Sequence, residues 1–202
     1  MVKGHGTDND FLLVADPAGE VSVDAVTVAH WCDRQRGPGA DGFIVAAPAR
    51  LAGYPTDAEW FMDYRNADGS PAEMCGNGIR VLVAFLRHRG FLALADGDAV
   101  DIATRGGDRR VWVTGDQYTV DMGDFSLPGG TEAALRGFDE AVGLPGLAQR
   151  PGLRVPKPNP PTVVALDSLG ALDNLSFTDE ELAEIDRHAV DADINIWKAR
   201  SR

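Results

Sequence analysis

The sequence predicts an α+β fold. Short apolar strands and a few amphipathic helices follow one another without the regular strand–helix–strand alternation of a doubly wound sheet. The chain has 202 residues, of which 44% are hydrophobic and 25% charged, so it is able to bury a core. This length permits one large domain or two small ones.

Several short apolar or alternating runs bounded by turn residues predict strands. They are "DFLLVAD" (10–16), "PGADGFIVAAP" (38–48), "EWFMDYRNADGS" (59–70) and "TVVAL" (162–166). "RRVWVTGDQYTVDMG" (109–123) alternates on both sides of Gly115-Asp116 and predicts a hairpin. Residues 124–161 are rich in glycine and proline and show weak periodicity, and the five prolines of "PGLRVPKPNPP" (151–161) predict little regular helix or sheet in that segment.

Two helices are predicted in the first 90 residues. "DAVTVAHWCDRQRG" (24–37) predicts a helix that ends at Gly37, with Cys32 buried on its apolar stripe. "IRVLVAFLRHRG" (79–90) predicts a second helix, and "SPAE" (70–73) before it has the pattern of a capping box. The apolar stripe of this second helix consists of Ile79, Leu82, Val83 and Leu86.

A third amphipathic helix is predicted over "FTDEELAEIDRHAV" (177–190), with Thr178 and Glu181 as its capping box.

Charge and composition exclude several classes of function. The net charge of −12 argues against nucleic acid and against an anionic membrane as partners. No apolar run has membrane-spanning length and no signal region is evident, so a cytoplasmic protein is expected. Four scattered histidines and two distant cysteines give no metal-ligand spacing, which predicts no metal site. No lysine lies between residues 4 and 156, which argues against pyridoxal phosphate, and no cofactor is expected.

Cys75 stands in "CGNG" (75–78), where the second predicted helix should begin. The free N–H groups and positive dipole end of a helix N-terminus favour a thiolate and can hold a carboxylate. Glycines there let another molecule approach the backbone closely. We therefore predict that Cys75 lies at the N-terminus of this helix as a nucleophile or base. A buried structural cysteine among turn residues is the alternative.

Three motifs, taken together, resemble diaminopimelate epimerase. They are "KGHGTDNDF" (3–11), "CDRQRGPGADG" (32–42) and "YRNADGSPAEMCGNGIR" (64–80), and the resemblance covers about residues 1–125. It implies two α+β halves, each a mixed sheet wrapped around a central helix, with the active site between them. It also implies interconversion of LL- and meso-diaminopimelate, a small amino-acid substrate, without metal or pyridoxal phosphate. One cysteine from each half would face the substrate α-carbon as acid or base.

The resemblance assigns roles to individual residues. Cys75 matches one of the two acid/base cysteines, and Gly76 and Asn77 match positions that hold the substrate at the helix start. Asn9 and Asn66 match substrate-binding asparagines. Asn159, in "PNPP" (158–161), matches the asparagine of a "GNPH" motif whose histidine is absent here.

The second half departs from the family pattern. It lacks the family's glutamate–arginine pair and second cysteine motif, and no cysteine follows Cys75. The sequence is therefore interpreted as an epimerase-like domain (1–122), an incomplete second half (123–170) and an acidic helical tail (171–202). "ALDNLSFTDEELAEIDRHAVDADINIW" (171–197) resembles the end of an aldo/keto reductase, which suggests a fused or truncated product. An acidic amphipathic helix unrelated to that family is the alternative.

Two alternatives to the epimerase remain open at this point. The first is a catalytically incompetent half-domain that keeps the carboxylate cradle as a binding module. The second is another cofactor-independent amino-acid racemase or isomerase of the same superfamily. The oligomeric state is also left open, with a homodimer considered.

Overall fold

The structure, a computed structural model, describes residues 1–124, 127–142, 150–154, 162–164 and 178. The chain divides into two compact units, Met1–Gly123 and Asp124–Arg202. The elements of the first unit, in chain order, are β1 (Val2–Gly6), β2 (Asn9–Ala15), α1 (Ala25–Cys32), β3 (Gly42–Pro48), a 3₁₀ turn (Ala49–Leu51), β4 (Trp60–Asn66), α2 (Gly76–His88), β5 (Ala99–Ala103), β6 (Arg109–Thr114) and β7 (Gln117–Val120).

The seven strands form one mixed sheet in the order β1-β2-β3-β4-β5-β6-β7. Strands β2 and β3 are parallel, as are β4 and β5, and the other neighbours are antiparallel. Helix α2 contacts both edge strands, β1 and β7, as well as β2, β3 and β4. A sheet whose two edges meet one helix must curl around it. This confirms the α+β fold with a mixed sheet wrapped around a central helix.

The two faces of the curled sheet carry separate cores, because neighbouring residues of a strand point to opposite faces. The inner core packs Phe11, Ile44 and Met62 against the stripe of α2, and Ile79, Leu82, Val83 and Leu86 all have 0% exposure. The outer core packs Leu12, Phe43 and Val45 against Val28 and Cys32 of α1. Cys32 is buried, as predicted.

Most strand predictions in the first unit are confirmed, but two strands were missed and one helix is shorter than predicted. β1 and β5 were not predicted: β1, "VKGHG", has two glycines and no apolar alternation. Helix α1 ends at Cys32 and not at Gly37. The carboxylate of Asp33 accepts hydrogen bonds from the N–H groups of Gln35 (2.7 Å) and Arg36 (3.1 Å), which holds the following residues in a turn.

The predicted capping box at "SPAE" (70–73) is wrong, because this segment continues the pairing of β4 instead of opening α2. The N–H of Asn66 donates to the Ser70 carbonyl (2.9 Å), and the N–H of Ala72 donates to the Tyr64 carbonyl (3.1 Å). The Ser70 hydroxyl donates to the Asp68 carboxylate at 2.6 Å. Tertiary pairing thus outweighs the local capping signal, and α2 begins five residues after Pro71, at Gly76.

The second unit contains α3 (Gly130–Arg136) and a three-stranded antiparallel sheet. Its strands are β8 (Glu140–Val142), β9 (Arg150–Arg154) and β10 (Thr162–Val164). Little regular structure was predicted over 151–161, and this is wrong for residues 151–154, which lie in β9, because pairing with β8 and β10 supplies what the local sequence lacks. Strand β10 lies within the predicted strand 162–166. Asn159 and, apart from Thr178, the helix predicted over 177–190 lie outside the described residues.

Within the described residues, none of the helices combines the length and the apolar character that crossing a membrane requires.

Candidate active site

Three strand ends meet at one end of the sheet in the first unit. Asn9 begins β2, Gly42 begins β3 and Asn66 ends β4. Phe11 pairs with Gly42 across the parallel β2–β3 ladder, and Gly42 pairs with Asn66 across the antiparallel β3–β4 ladder. The register therefore brings the two predicted asparagines to the same end of the sheet.

Cys75 caps the N-terminus of α2 at this end, which confirms its predicted position. Its backbone is extended (φ −140°), and its sulfur accepts the N–H of Gly78 at 3.4 Å. Its carbonyl accepts the N–H of Ile79 at 2.9 Å. The N–H groups of Gly76 and Asn77 open the helix, where no earlier helical carbonyl exists to accept them.

Asn9 and Asn77 lie beside the thiol. The side-chain oxygen of Asn9 is 3.8 Å from the sulfur of Cys75 and 3.4 Å from the side-chain nitrogen of Asn77. Arg80, one turn into α2, donates to the side-chain oxygen of Asn77, to the Gly76 carbonyl (3.2 Å) and to the Thr7 hydroxyl (3.1 Å). These contacts tie the β1–β2 turn to the first turn of α2.

Burial raises the pKa of the Cys75 thiol. The N–H groups of Gly78 and Asn77 and the charge of Arg80 lower it, but only in part, and the charge of Asp41 raises it. The N–H groups at the helix N-terminus favour the thiolate, as predicted, but the cost of desolvating the anion outweighs them. The pKa of the Cys75 thiol therefore lies above its ordinary value.

A buried tyrosine belongs to the same environment. Tyr64 on β4 packs edge-on against Phe11, with ring centroids 6.0 Å apart. Burial raises the pKa of its hydroxyl strongly, and the nearby Cys75 and Asp41 raise it further. A Cβ on Gly42 would approach the Tyr64 ring to 2.6 Å, so glycine is needed for this ring to lie at the end of the sheet.

Sequence reasoning missed a set of charged residues behind Asn9. The carboxylate of Asp41 accepts from the side-chain nitrogen of Asn9 at 2.7 Å. Arg34 donates to Asp41 (2.7 Å) and makes two hydrogen bonds to Asp10 (2.9 and 2.7 Å). Lys3 lies 3.0 Å from the Asp10 carboxylate. All four stand inside the quoted motifs, so the signal was present in the sequence, but the motifs alone do not show which side chains touch.

The structure therefore brings together some of the predicted site residues but not all of them. Cys75, Asn9, Gly76 and Asn77 are in one cluster. Asn66 lies at the same end of the sheet, but its side chain is exposed and donates to the Ser70 hydroxyl at 3.1 Å. Asn159 is outside the described residues.

The two cysteines of the chain pack against different faces of the sheet. Cys75 lies against the inner core with α2, whereas Cys32 belongs to the outer core with α1. Burial raises the pKa of Cys32 as well. The sheet separates the two thiols, so Cys32 is not placed to act on a molecule held at Cys75.

Similarity to known proteins covers this region. The sequence model of the family described as diaminopimelate epimerase matches residues 1–128. A diaminopimelate epimerase of Thermobifida fusca is 44% identical over 164 residues, covering 74% of this chain and 59% of the relative. One from Streptomyces coelicolor is 47% identical and covers 64% of this chain and 46% of the relative. The chain thus spans about half the length of these relatives.

Solved structures share the fold at low identity. A hydroxyproline epimerase from Agrobacterium vitis superposes with a TM-score of 0.61 at 12% identity, covering 83% of this chain and 52% of that chain. A probable proline racemase from Agrobacterium radiobacter gives a TM-score of 0.58 at 11% identity, covering 92% of this chain and 56% of that chain. The fold around α2 and the match over more than half of the sequence lead to one conclusion: the chain belongs to the diaminopimelate epimerase family.

Proposed function

We propose that this chain binds diaminopimelate, a small amino-acid substrate, and that Cys75 transfers the α-proton on one face of the substrate. The observation that carries the proposal is the position of Cys75 as N-cap of α2, with its thiol beside Asn9 and Asn77.

The helix N-terminus offers a place for the substrate carboxylate. The N–H groups of Gly76 and Asn77 lie at the positive end of the α2 dipole, where an anion is stabilised. A carboxylate held there has its α-carbon beside the sulfur of Cys75. The amide groups of Asn9 and Asn77 supply neutral donors and acceptors for the polar groups around the α-carbon.

The proton transfer follows from this placement. The Cys75 thiolate takes the α-proton, so an S–H bond forms as the C–H bond breaks. The electron pair moves to the α-carbon and is delocalised into the carboxylate. N–H groups aimed at that carboxylate stabilise the developing charge. The thiol then returns a proton to the same face, and exchange with solvent between the two steps labels the substrate.

Inversion requires a second group on the opposite face. The sequence has two cysteines, and Cys32 packs on the other side of the sheet. We therefore expect this chain to exchange the α-proton without converting one stereoisomer into the other. A resting thiol with a raised pKa also implies that exchange accelerates as pH rises into the range where Cys75 ionises.

The test is incubation of the purified chain with LL-diaminopimelate in heavy water, following deuterium at the α-carbon and the appearance of the meso isomer. Cys75→Ala should lower deuterium incorporation by about 10²-fold or more, the usual loss on removal of an acid/base group. Cys32→Ala is the matched control and should keep the incorporation. Exchange that survives Cys75→Ala would contradict the proposal. So would formation of the meso isomer that Cys32→Ala abolishes, because Cys32 would then be the second acid.

A further inference from the structure

The amide of Asn9 lies between a carboxylate and the Cys75 thiol, and its two ends have different partners. A carboxylate at neutral pH only accepts hydrogen bonds, so the group that Asn9 turns toward Asp41 has to be its NH₂. That contact is 2.7 Å long. The carbonyl oxygen is thereby turned the other way, 3.8 Å from the Cys75 sulfur.

Asp41 is itself held in place. The carboxylate oxygen that accepts from Asn9 also accepts the N–H of Asp10 at 3.0 Å. The other oxygen accepts from Arg34 at 2.7 Å, and Arg34 is anchored by its two hydrogen bonds to the Asp10 carboxylate. Charge-assisted pairs of this kind are shorter and stronger than neutral ones. The contact on the other side of Asn9, from the Asn77 amide, is longer at 3.4 Å.

We propose that Asp41 is a positioning residue that fixes the Asn9 amide with its carbonyl oxygen toward Cys75, and so favours the protonated thiol over the thiolate. The inference rests on the proposed role of Cys75 as the acid/base cysteine.

The physical basis is the direction of one hydrogen bond. A carbonyl oxygen beside the sulfur accepts the S–H of the thiol, which stabilises the neutral form. An amide NH₂ in the same place would donate to a thiolate and stabilise the anion. By binding the NH₂ group of Asn9, Asp41 holds the amide in the orientation that stabilises the neutral thiol.

Other groups also act on the thiol, so the test has to separate them from the amide. Arg80 from α2, Tyr64 from β4 and Asp41 itself face Cys75 with charged or titratable groups. Removal of the Asp41 charge alone lowers the thiol pKa, with or without Asn9. Only the part of the shift that depends on Asn9 reports its orientation.

The experiment is a double-mutant cycle read out as the pKa of Cys75. The rate of alkylation by iodoacetamide is measured against pH, and peptide mass spectrometry distinguishes Cys75 from Cys32. The proteins are the unmodified chain, Asp41→Ala, Asn9→Ala and the double variant. We expect Asp41→Ala to lower the pKa by about 0.5–1 unit more when Asn9 is present than in the Asn9→Ala background. Equal shifts in the two backgrounds would overturn the proposal.

Two further variants complete the design. Asp68→Ala removes a carboxylate at the same end of the sheet that binds Ser70 and not Asn9, and its shift should be the same in both backgrounds. Asp41→Val replaces Asp41→Ala if the latter does not fold; its side chain has no acceptor for the Asn9 NH₂, so the excess shift is expected to persist. Alkylation requires no turnover, so an inactive chain would contradict the proposed function without affecting this result.

Discussion

Replacement of Asp8 by glycine should stabilise the protein, because Asp8 is held in a backbone conformation that glycine adopts without strain. Gly6 pairs with Asn9, so Thr7 and Asp8 form a two-residue turn between β1 and β2. Their φ angles are 58° and 63°, and they are the only non-glycine residues with positive φ in the part of the chain that the structure describes. Hairpin turns of this type favour glycine in such positions.

The expected gain follows from two opposing effects. A side chain in the left-handed region costs about 1 kcal/mol, which Asp8→Gly removes from the folded state. The greater freedom of glycine in the unfolded chain offsets about half of this, leaving a net gain of about 0.5 kcal/mol. Thr7 is kept because its hydroxyl accepts a hydrogen bond from Arg80 at 3.1 Å.

The assay is urea unfolding of Asp8→Gly beside a matched control, Asp57→Gly. Asp57 is exposed, and its φ is not positive. Both variants remove one negative charge and add one glycine to the unfolded chain, so their difference isolates the strain at the turn. Asp8→Gly should be the more stable of the two by about 1 kcal/mol. Equal stabilities, or a less stable Asp8→Gly, would refute the reasoning.

Three further outcomes are expected. Leu82→Ala, at a position with 0% exposure on α2, should lower the free energy of unfolding by about 2–5 kcal/mol, whereas Leu51→Ala, at 48% exposure, should cost well under half of that in the same urea series. Burial of Asp16 opposes its ionisation, but the N–H groups of Val21, Glu20 and Gly19 outweigh this and lower its pKa, so its stabilising effect is present above about pH 4 and is lost as pH falls below it. Acid titration of unfolding should accordingly show a smaller loss of stability for Asp16→Asn than for the unmodified chain, and an equal loss would contradict the assignment. The rate of α-proton exchange should keep rising with pH beyond the range in which an ordinary thiol ionises, because the pKa of Cys75 is raised. A rate that is already constant at neutral pH would show that Cys75 is a thiolate at rest and would contradict this prediction.

Much of the first unit was predictable from local patterns. Strands β2, β3 and β4 and the β6–β7 hairpin have apolar or alternating runs, and the stripe of α2 repeats with helical spacing. Strand β1 was not predictable in this way, because two glycines remove the alternation and its place depends on pairing with β2. The capping pattern at Ser70 was misleading for a similar reason, since the pairing of Ala72 with Tyr64 outweighs it, whereas the position of Cys75 at the N-terminus of α2 was predicted correctly.

The site was predictable in its members and not in its contacts. The motifs name Cys75, Asn9 and Asn77, but their proximity depends on the register of β2 with β3 and on the curl of the sheet around α2. The raised pKa of Cys75 was not predictable, because the sequence shows the helix N-terminus and does not show the burial that outweighs it. Asp41 was missed because its role depends on which end of the Asn9 amide it binds, and that is visible only in three dimensions.

The most direct test of the central claim, that the end of the sheet at α2 holds the substrate α-carbon, is a crystal structure of the chain with meso-diaminopimelate bound. The account predicts a substrate carboxylate on the N–H groups of Gly76 and Asn77, with the sulfur of Cys75 about 3–3.5 Å from the α-carbon. Substrate bound away from the N-terminus of α2, or with its α-carbon far from Cys75, would contradict it.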